Sequence, residues 1–265
     1  MDVKTVQLSN KVNFEYVEHG NVSGIPVICL HGYTDSWKSF ELVLPYLSET
    51  LHTFALSQRG HGNSDRPSEG YDPRDFAADV AFFIDQMNLG PSIIVGHSMG
   101  GTVAQRFVLD YPQKTKALVL ICSFSTFANN QGVIELQGAV SQLNDPVDPA
   151  FVQDFQKSTV AKPINNTFLR TVCNESLKVP ARVWKTVLAG LMNVDYIKEL
   201  QTVRKPVLLV WGDLDTFSTS KDQDRLLEAI AGSRLSVYTG VGHSVHWEEP
   251  QRFALEVENF VDEVQ

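Results

Sequence analysis

A doubly wound α/β sheet is the fold this sequence predicts, and two observations predict it. Short, continuous apolar runs suited to strands buried on both faces recur along the chain, and amphipathic helical stripes lie between them. Strands alternating with helices bury best as a mostly parallel sheet with helices on both faces. Val12, Phe14 and Tyr16, separated by polar Asn13 and Glu15, alternate as a half-buried antiparallel strand should. Residues 25–30 (IPVICL), 92–95 (SIIV), 117–122 (ALVLIC) and 206–211 (PVLLVW) do not alternate and read as buried parallel strands. Phe76, Val80, Phe83, Ile84 and Met87 share one helix face behind Asp72 and Pro73, a cap and a favoured first-turn proline. Val103, Phe107, Val108 and Tyr111 form a second stripe ended by Pro112, and Phe253, Val257, Phe260, Val261 and Val264 form a carboxy-terminal one.

The alternation stops between residues 125 and 202. Only helical patterning appears there, for example Val183, Trp184, Val187, Leu188, Leu191 and Met192 behind Pro180. The stretch is too long for one crossover, and an insertion after a parallel strand sits at the carboxyl ends of the strands, where open α/β sheets hold their ligands. It predicts one structural domain with an insertion: a core of residues 1–124 and 203–265 and a helical lid of residues 125–202.

Composition narrows the function classes. With 43% hydrophobic and 20% charged residues the chain is an ordinary globular one, neither disordered nor fibrous. Its net charge of −9, with no basic cluster, disfavours nucleic acid and anionic membranes as partners. Cys29, Cys122 and Cys173 lack metal-type spacing and read as reduced packing residues. No apolar run approaches a membrane span, and the amino terminus lacks the pattern of a secretory signal, so a soluble, cytoplasmic protein is expected.

The chemistry concentrates in three short strings. Gly96, His97, Ser98, Met99 and Gly100 lie between the strand SIIV and a helix, the strand-to-turn-to-helix context a G-x-S-x-G nucleophile needs. So tight a turn strains its serine, and the flanking Gly96 and Gly100 remove side chains that would collide with their neighbours. Tyr33, after His31 and Gly32 at the end of IPVICL, is placed to aim its N–H at the same spot as the Met99 N–H, forming an oxyanion hole. The base is expected in the string Gly242, His243, Ser244, Val245, His246. His243 follows the strand at 234–240 directly, whereas His246 lies nearer the last helix and suits a supporting hydrogen bond. The pair is weak evidence for a metal. For the acid, Asp213 and Asp215 both follow PVLLVW, and spacing alone does not choose between them.

Taken together, HGYTDSW, QRGHGNSD, GHSMGG, WGDLD and GVGHSVHWEEP stand in the order of an α/β-hydrolase, and from about Val12 onward the chain resembles a lidded, esterase- or lipase-like serine hydrolase of that fold. The resemblance implies a triad of Ser98, Asp215 and His243, with Tyr33 and Met99 as oxyanion donors and with no cofactor or metal. It implies hydrolysis of a small, fairly hydrophobic carboxylic ester; thioesters, lactones, carbon–carbon bonds, perhydrolysis and a non-enzymatic receptor of the same fold are the alternatives. Phe124, Phe127, Trp184 and Leu188 are the expected substrate pocket. One departure stands out: relatives commonly carry Asp two residues before the Arg59–Gly60 pair, where this chain has Ser57, which puts the hydrogen bonding of that loop in question.

Overall fold

The computed structural model describes residues 1–127 and 130–265. In chain order the elements are β1 (Val3–Gln7), β2 (Asn13–Gly20), β3 (Pro26–Leu30), β4 (His52–Leu56), α1 (Pro73–Gln86), β5 (Ser92–His97), α2 (Met99–Asp110) and β6 (Thr115–Ile121). There follow α3 (Gln131–Ser141), α4 (Pro149–Ser158), α5 (Asn166–Leu177), α6 (Ala181–Met192) and α7 (Ile197–Leu200). The chain then returns to the sheet through β7 (Val207–Gly212), α8 (Ser220–Ala229), β8 (Arg234–Tyr238), α9 (Val245–Glu248) and α10 (Pro250–Glu263). One eight-stranded sheet runs β1-β2-β4-β3-β5-β6-β7-β8. Pairing is antiparallel from β1 to β4 and parallel from β4 to β8. The five helices between β6 and β7 form the insertion; Ala128 and Asn129, inside its expected span, lie outside the described residues.

The period of two along each strand divides the core into two layers. Ile28, Leu30, Ile94, Leu118 and Leu120 pack with α1, α2 and the insertion, while Val27, Cys29, Ile93, Val95 and Val119 pack with Trp37, Phe40 and α10. The α1 start carries the expected Asp72 cap, closed into a capping box by Asp75, with Pro73 at its first position. Among the described residues no helix is long and apolar enough to cross a membrane.

Two strands carry little signal in the sequence. β1 is an edge strand exposed along nearly its whole length, so no burial pattern marks it, and the apolar run of β4 is interrupted at its start by buried His52 and Thr53. The half-buried reading of β2 is corrected: Glu15 is buried as fully as its apolar neighbours. The loop at 57–64 folds over it, and its carboxylate accepts from Ser57 Oγ at 2.8 Å and from the Asn63 N–H at 3.1 Å. Ser57 Oγ also accepts from the Trp37 N–H at 3.2 Å. Glu15 thus supplies the carboxylate of this loop from β2, and the Ser57 hydroxyl reaches it.

Candidate active site

Ser98 sits on the turn between β5 and α2 with φ 51° and ψ −111°, a left-handed backbone that a serine adopts only under constraint. The constraint is visible in its neighbours. A Cβ on Gly96 would lie 2.3 Å from the Gly100 carbonyl oxygen, and one on Gly100 would lie 2.2 Å from the Leu30 carbonyl oxygen, so strand, turn and helix approach as closely as backbones can. The Ser98 N–H is held by the Ile121 carbonyl at 2.9 Å. Met99 is the first residue of α2, where a helix N–H has no intrahelical acceptor. Neither the Met99 nor the Tyr33 N–H meets an acceptor among the described residues.

His243 stands on the loop after β8 and is 5% exposed. Its Nδ1 lies 2.8 Å from Asp215 Oδ2. A carboxylate can only accept, so Nδ1 carries the proton and Nε2 is left with a free lone pair. The other Asp215 oxygen accepts from the N–H groups of Phe217 and Ser218, at 2.8 and 3.0 Å, which fixes the carboxylate in the plane of that bond. Asp213 turns away and accepts from the Gly240 N–H at 2.6 Å, which pins the loop before His243. His246 Nε2 shares a hydrogen bond with Ser39 Oγ at 2.9 Å, a supporting contact away from Asp213 and Asp215.

Cys122, Asp215 and His243 bring one ligand atom each within 4.8 Å of one another. The chemistry of this group suits protons better than a cation. Burial, and next the neighbouring Asp215 charge, push the Cys122 thiol well above its ordinary range, and the His243 Nδ1 is already spent on Asp215.

Ser98 and His243 line one cavity of about 40 Å³. They make no direct hydrogen bond, as is common before substrate draws such a pair together. The core contributes Tyr33, Phe124 and Phe217 to the walls, and the insertion contributes Val133, Leu136, Phe155, Leu188 and Leu191. Phe127 also faces this space, stacked on Phe124 with ring centroids 4.7 Å apart. Trp184 does not, and its expected place in the pocket is corrected. It is fully buried behind the wall, its ring edge-on to Tyr33 and Phe155 at 5.2 and 5.6 Å and its Nε1 donating to the Val179 carbonyl at 3.1 Å.

This arrangement can be set beside known proteins. A model of the alpha/beta hydrolase family matches residues 27–257. The chain belongs to the α/β-hydrolase family. It is 26% identical to the 2-(acetamidomethylene)succinate hydrolase of Mesorhizobium japonicum, over 91% of this chain and 89% of the relative. It is 25% identical to a non-heme chloroperoxidase of Streptomyces lividans, over 93% and 95% of the two chains. The esterase RhEst1 from Rhodococcus sp. ECU1013 superposes with a TM-score of 0.88 at 25% identity, covering 100% of both chains.

Within this α/β-hydrolase, sequence reasoning overlooks a set of buried polar residues beside Ser98. Asp35, in the loop after β3, accepts from Gln156 Nε2 of α4 at 2.9 Å, and burial pushes its carboxyl up to about 7 against the pull of the Gln156 and Ser39 hydrogen bonds. His97, next to Ser98, donates from Nε2 to the His243 carbonyl at 3.1 Å, and burial holds its ring neutral well below the usual imidazole range. No spacing signal ties Asp35 to Gln156, 121 residues away. The hint lies in composition alone: polar residues inside strings otherwise destined for burial.

Proposed function

We propose that this α/β-hydrolase cleaves carboxylic esters of small, fairly hydrophobic substrates through an acyl-enzyme on Ser98. The observation that carries the proposal is the orientation of His243. Its Nδ1–H is committed to a buried, doubly anchored carboxylate, and its basic nitrogen is free in a ring that shares a cavity with a strained serine. In the proposed reaction His243 Nε2 takes the Ser98 hydroxyl proton as Oγ bonds to the carbonyl carbon, and the resulting oxyanion is held by the Tyr33 and Met99 N–H groups. The C–O bond to the alcohol breaks as the imidazolium returns the proton to it. Water, deprotonated by the same nitrogen, then releases the acid and restores Ser98. Asp215 holds the tautomer and stabilises the imidazolium without becoming protonated.

The apolar walls favour an uncharged acyl or alcohol group, with Phe124, Phe127 and Leu188 in contact with it. We assign residues 125–202 the role of a lid over a core of 1–124 and 203–265. A cavity of about 40 Å³ has room for only a few waters, so an ester is expected to fit as the walls, those of the insertion among them, yield. The three cysteines are free thiols, which suits the cytoplasm we propose as its compartment. The similarity to a chloroperoxidase keeps perhydrolysis as a second reading, since peroxide attacking the same acyl-enzyme in place of water needs no further residue.

The test is a panel of nitrophenyl esters of rising acyl length with wild type and Ser98→Ala. The variant is expected to fold and to lose at least about 10⁴-fold in kcat/KM, and a fluorophosphonate is expected to label wild type at Ser98 alone. Labelling elsewhere, substantial activity in the variant, or a single slow turnover with lasting ligand occupancy would overturn the esterase reading.

A further inference from the structure

The space around Ser98 has a second end, walled by Tyr33, Phe155 and Trp247, where several buried polar side chains also meet it. Asp35, His97, Gln156, Thr159 and Ser244 line a pocket of about 20 Å³ that shares Ser98 and His243 with the apolar cavity. All five are at least nine-tenths buried. The polar atoms left over there are two acceptors and the Asp35 carboxyl, which accepts when ionised. Gln156 spends both N–H groups, on Asp35 Oδ1 at 2.9 Å and Ser176 Oγ at 2.7 Å, so its carbonyl oxygen can only accept. Asp35 Oδ2 has one distant donor, Ser39 Oγ at 3.4 Å. Because His97 Nε2 donates to a carbonyl, its Nδ1 is a bare lone pair, and it is buried without a partner. A side chain on Gly32 would start 2.6 Å from His97 Nδ1 and 3.3 Å from Asp35 Oδ2, so only a glycine fits against these two atoms.

A buried acceptor left bare is destabilising, and His97 belongs to a pocket that it shares with Ser98. We propose that this pocket is a substrate subsite for a hydrogen-bond donor. It would take a hydroxyl or amide N–H carried on the side of the ester away from the apolar chain, received by Asp35, His97 Nδ1 and the Gln156 carbonyl. The inference rests on the esterase reading and deepens it: the substrate class becomes esters with one apolar arm and one short arm bearing a donor. The room available is that of a small group. Asp35 and Gln156 are then specificity residues, one from the core and one from the insertion.

The experiment compares matched esters by acid release in a pH-stat: 2-hydroxyethyl against propyl hexanoate, and hexyl 3-hydroxypropanoate against hexyl butanoate. Wild type is expected to favour the hydroxylated member of at least one pair by about 10- to 100-fold in kcat/KM. In Gln156→Leu that ratio is expected to fall to about one, and in Asp35→Asn to fall part of the way, since the amide keeps one acceptor. Equal rates for both members of both pairs in wild type, or an unchanged ratio in Gln156→Leu, would overturn the subsite. Should no ester turn over, the esterase reading fails on its own, and calorimetric affinities of the same pairs decide the subsite by the same ratio.

Discussion

The core and the insertion contribute to the site in different ways. From the core come Ser98, Asp215 and His243, each on a loop at the carboxyl end of a parallel strand and held by backbone hydrogen bonds or by a turn that only glycine neighbours permit. From the insertion come walls: Val133, Leu136, Phe155, Leu188 and Leu191. A sheet fixes the ends of its strands to within fractions of an ångström of one another. Helices packed on those ends through apolar side chains are free to vary in residue and angle. Chemistry in such a fold is therefore set where position is rigid, and selectivity where it is adjustable.

The sharpest way to break that contrast is at Asp215, the acid of the proposed triad. Asp215→Asn is expected to lower kcat by about 10⁴-fold, because an amide at Oδ2 can present an N–H to His243 and reverse its tautomer. Asp213→Asn, which touches only the Gly240 N–H, is expected to cost less than about 10-fold. Steady-state kinetics of the two variants check this, and equal losses would mean that rigid placement of one carboxylate is not what the core supplies.

The two aspartates also show how far the sequence is legible. The turn at Ser98 can be read from it because its demands are local: two glycines at fixed spacing, a strand before and a helix after. His243 is legible for a similar reason. Asp213 and Asp215 follow the same strand two residues apart, and their contacts diverge only because the loop bends Asp213 back toward residue 240, a long-range contact. Trp184 marks the opposite limit. Its helical stripe predicts burial, and burial is what the fold shows, but periodicity does not tell whether a face is covered by protein or by substrate. The Asp35–Gln156 pair joins the two regions and has no local signature at all.

Trp184 and Leu188 lie on the same helix and test the wall against what supports it. Trp184→Ala removes a fully buried ring and the Tyr33 and Phe155 contacts, so a loss of roughly 3–5 kcal/mol in stability is expected, with the acyl-length profile unchanged in the protein that remains folded. Leu188→Ala, in the cavity wall, is expected to change kcat/KM for the longest acyl groups by about 10-fold or more. Thermal denaturation and the nitrophenyl panel measured side by side separate the two. A profile altered in Trp184→Ala but not in Leu188→Ala would reverse their places.

The smallest effect expected, and the one that probes the seam between the regions, is in the pH dependence of stability. The Asp35 carboxyl titrates near 7 when folded and near 4 when unfolded, so the unfolded chain releases its proton first. Its contribution is fully present below about pH 4 and is lost as pH rises to 7, by roughly 2–4 kcal/mol. The buried histidines act with the opposite sign. His61, held to about 4, and His246, held to about 3, are neutral when folded, so their contribution is present above about 6.5 and is lost as pH falls. Subtracting the denaturation free energy of Asp35→Asn from that of wild type at each pH cancels the histidines and leaves Asp35, so the difference is expected to become less favourable to wild type between pH 4 and 7. Removing the Gln156 hydrogen bond, which holds the Asp35 carboxyl down, is expected to carry that decline to higher pH in Gln156→Leu. A flat difference would show that Asp35 stays ionised, with water reaching it past the insertion, and that α4 does not seal the loop after β3.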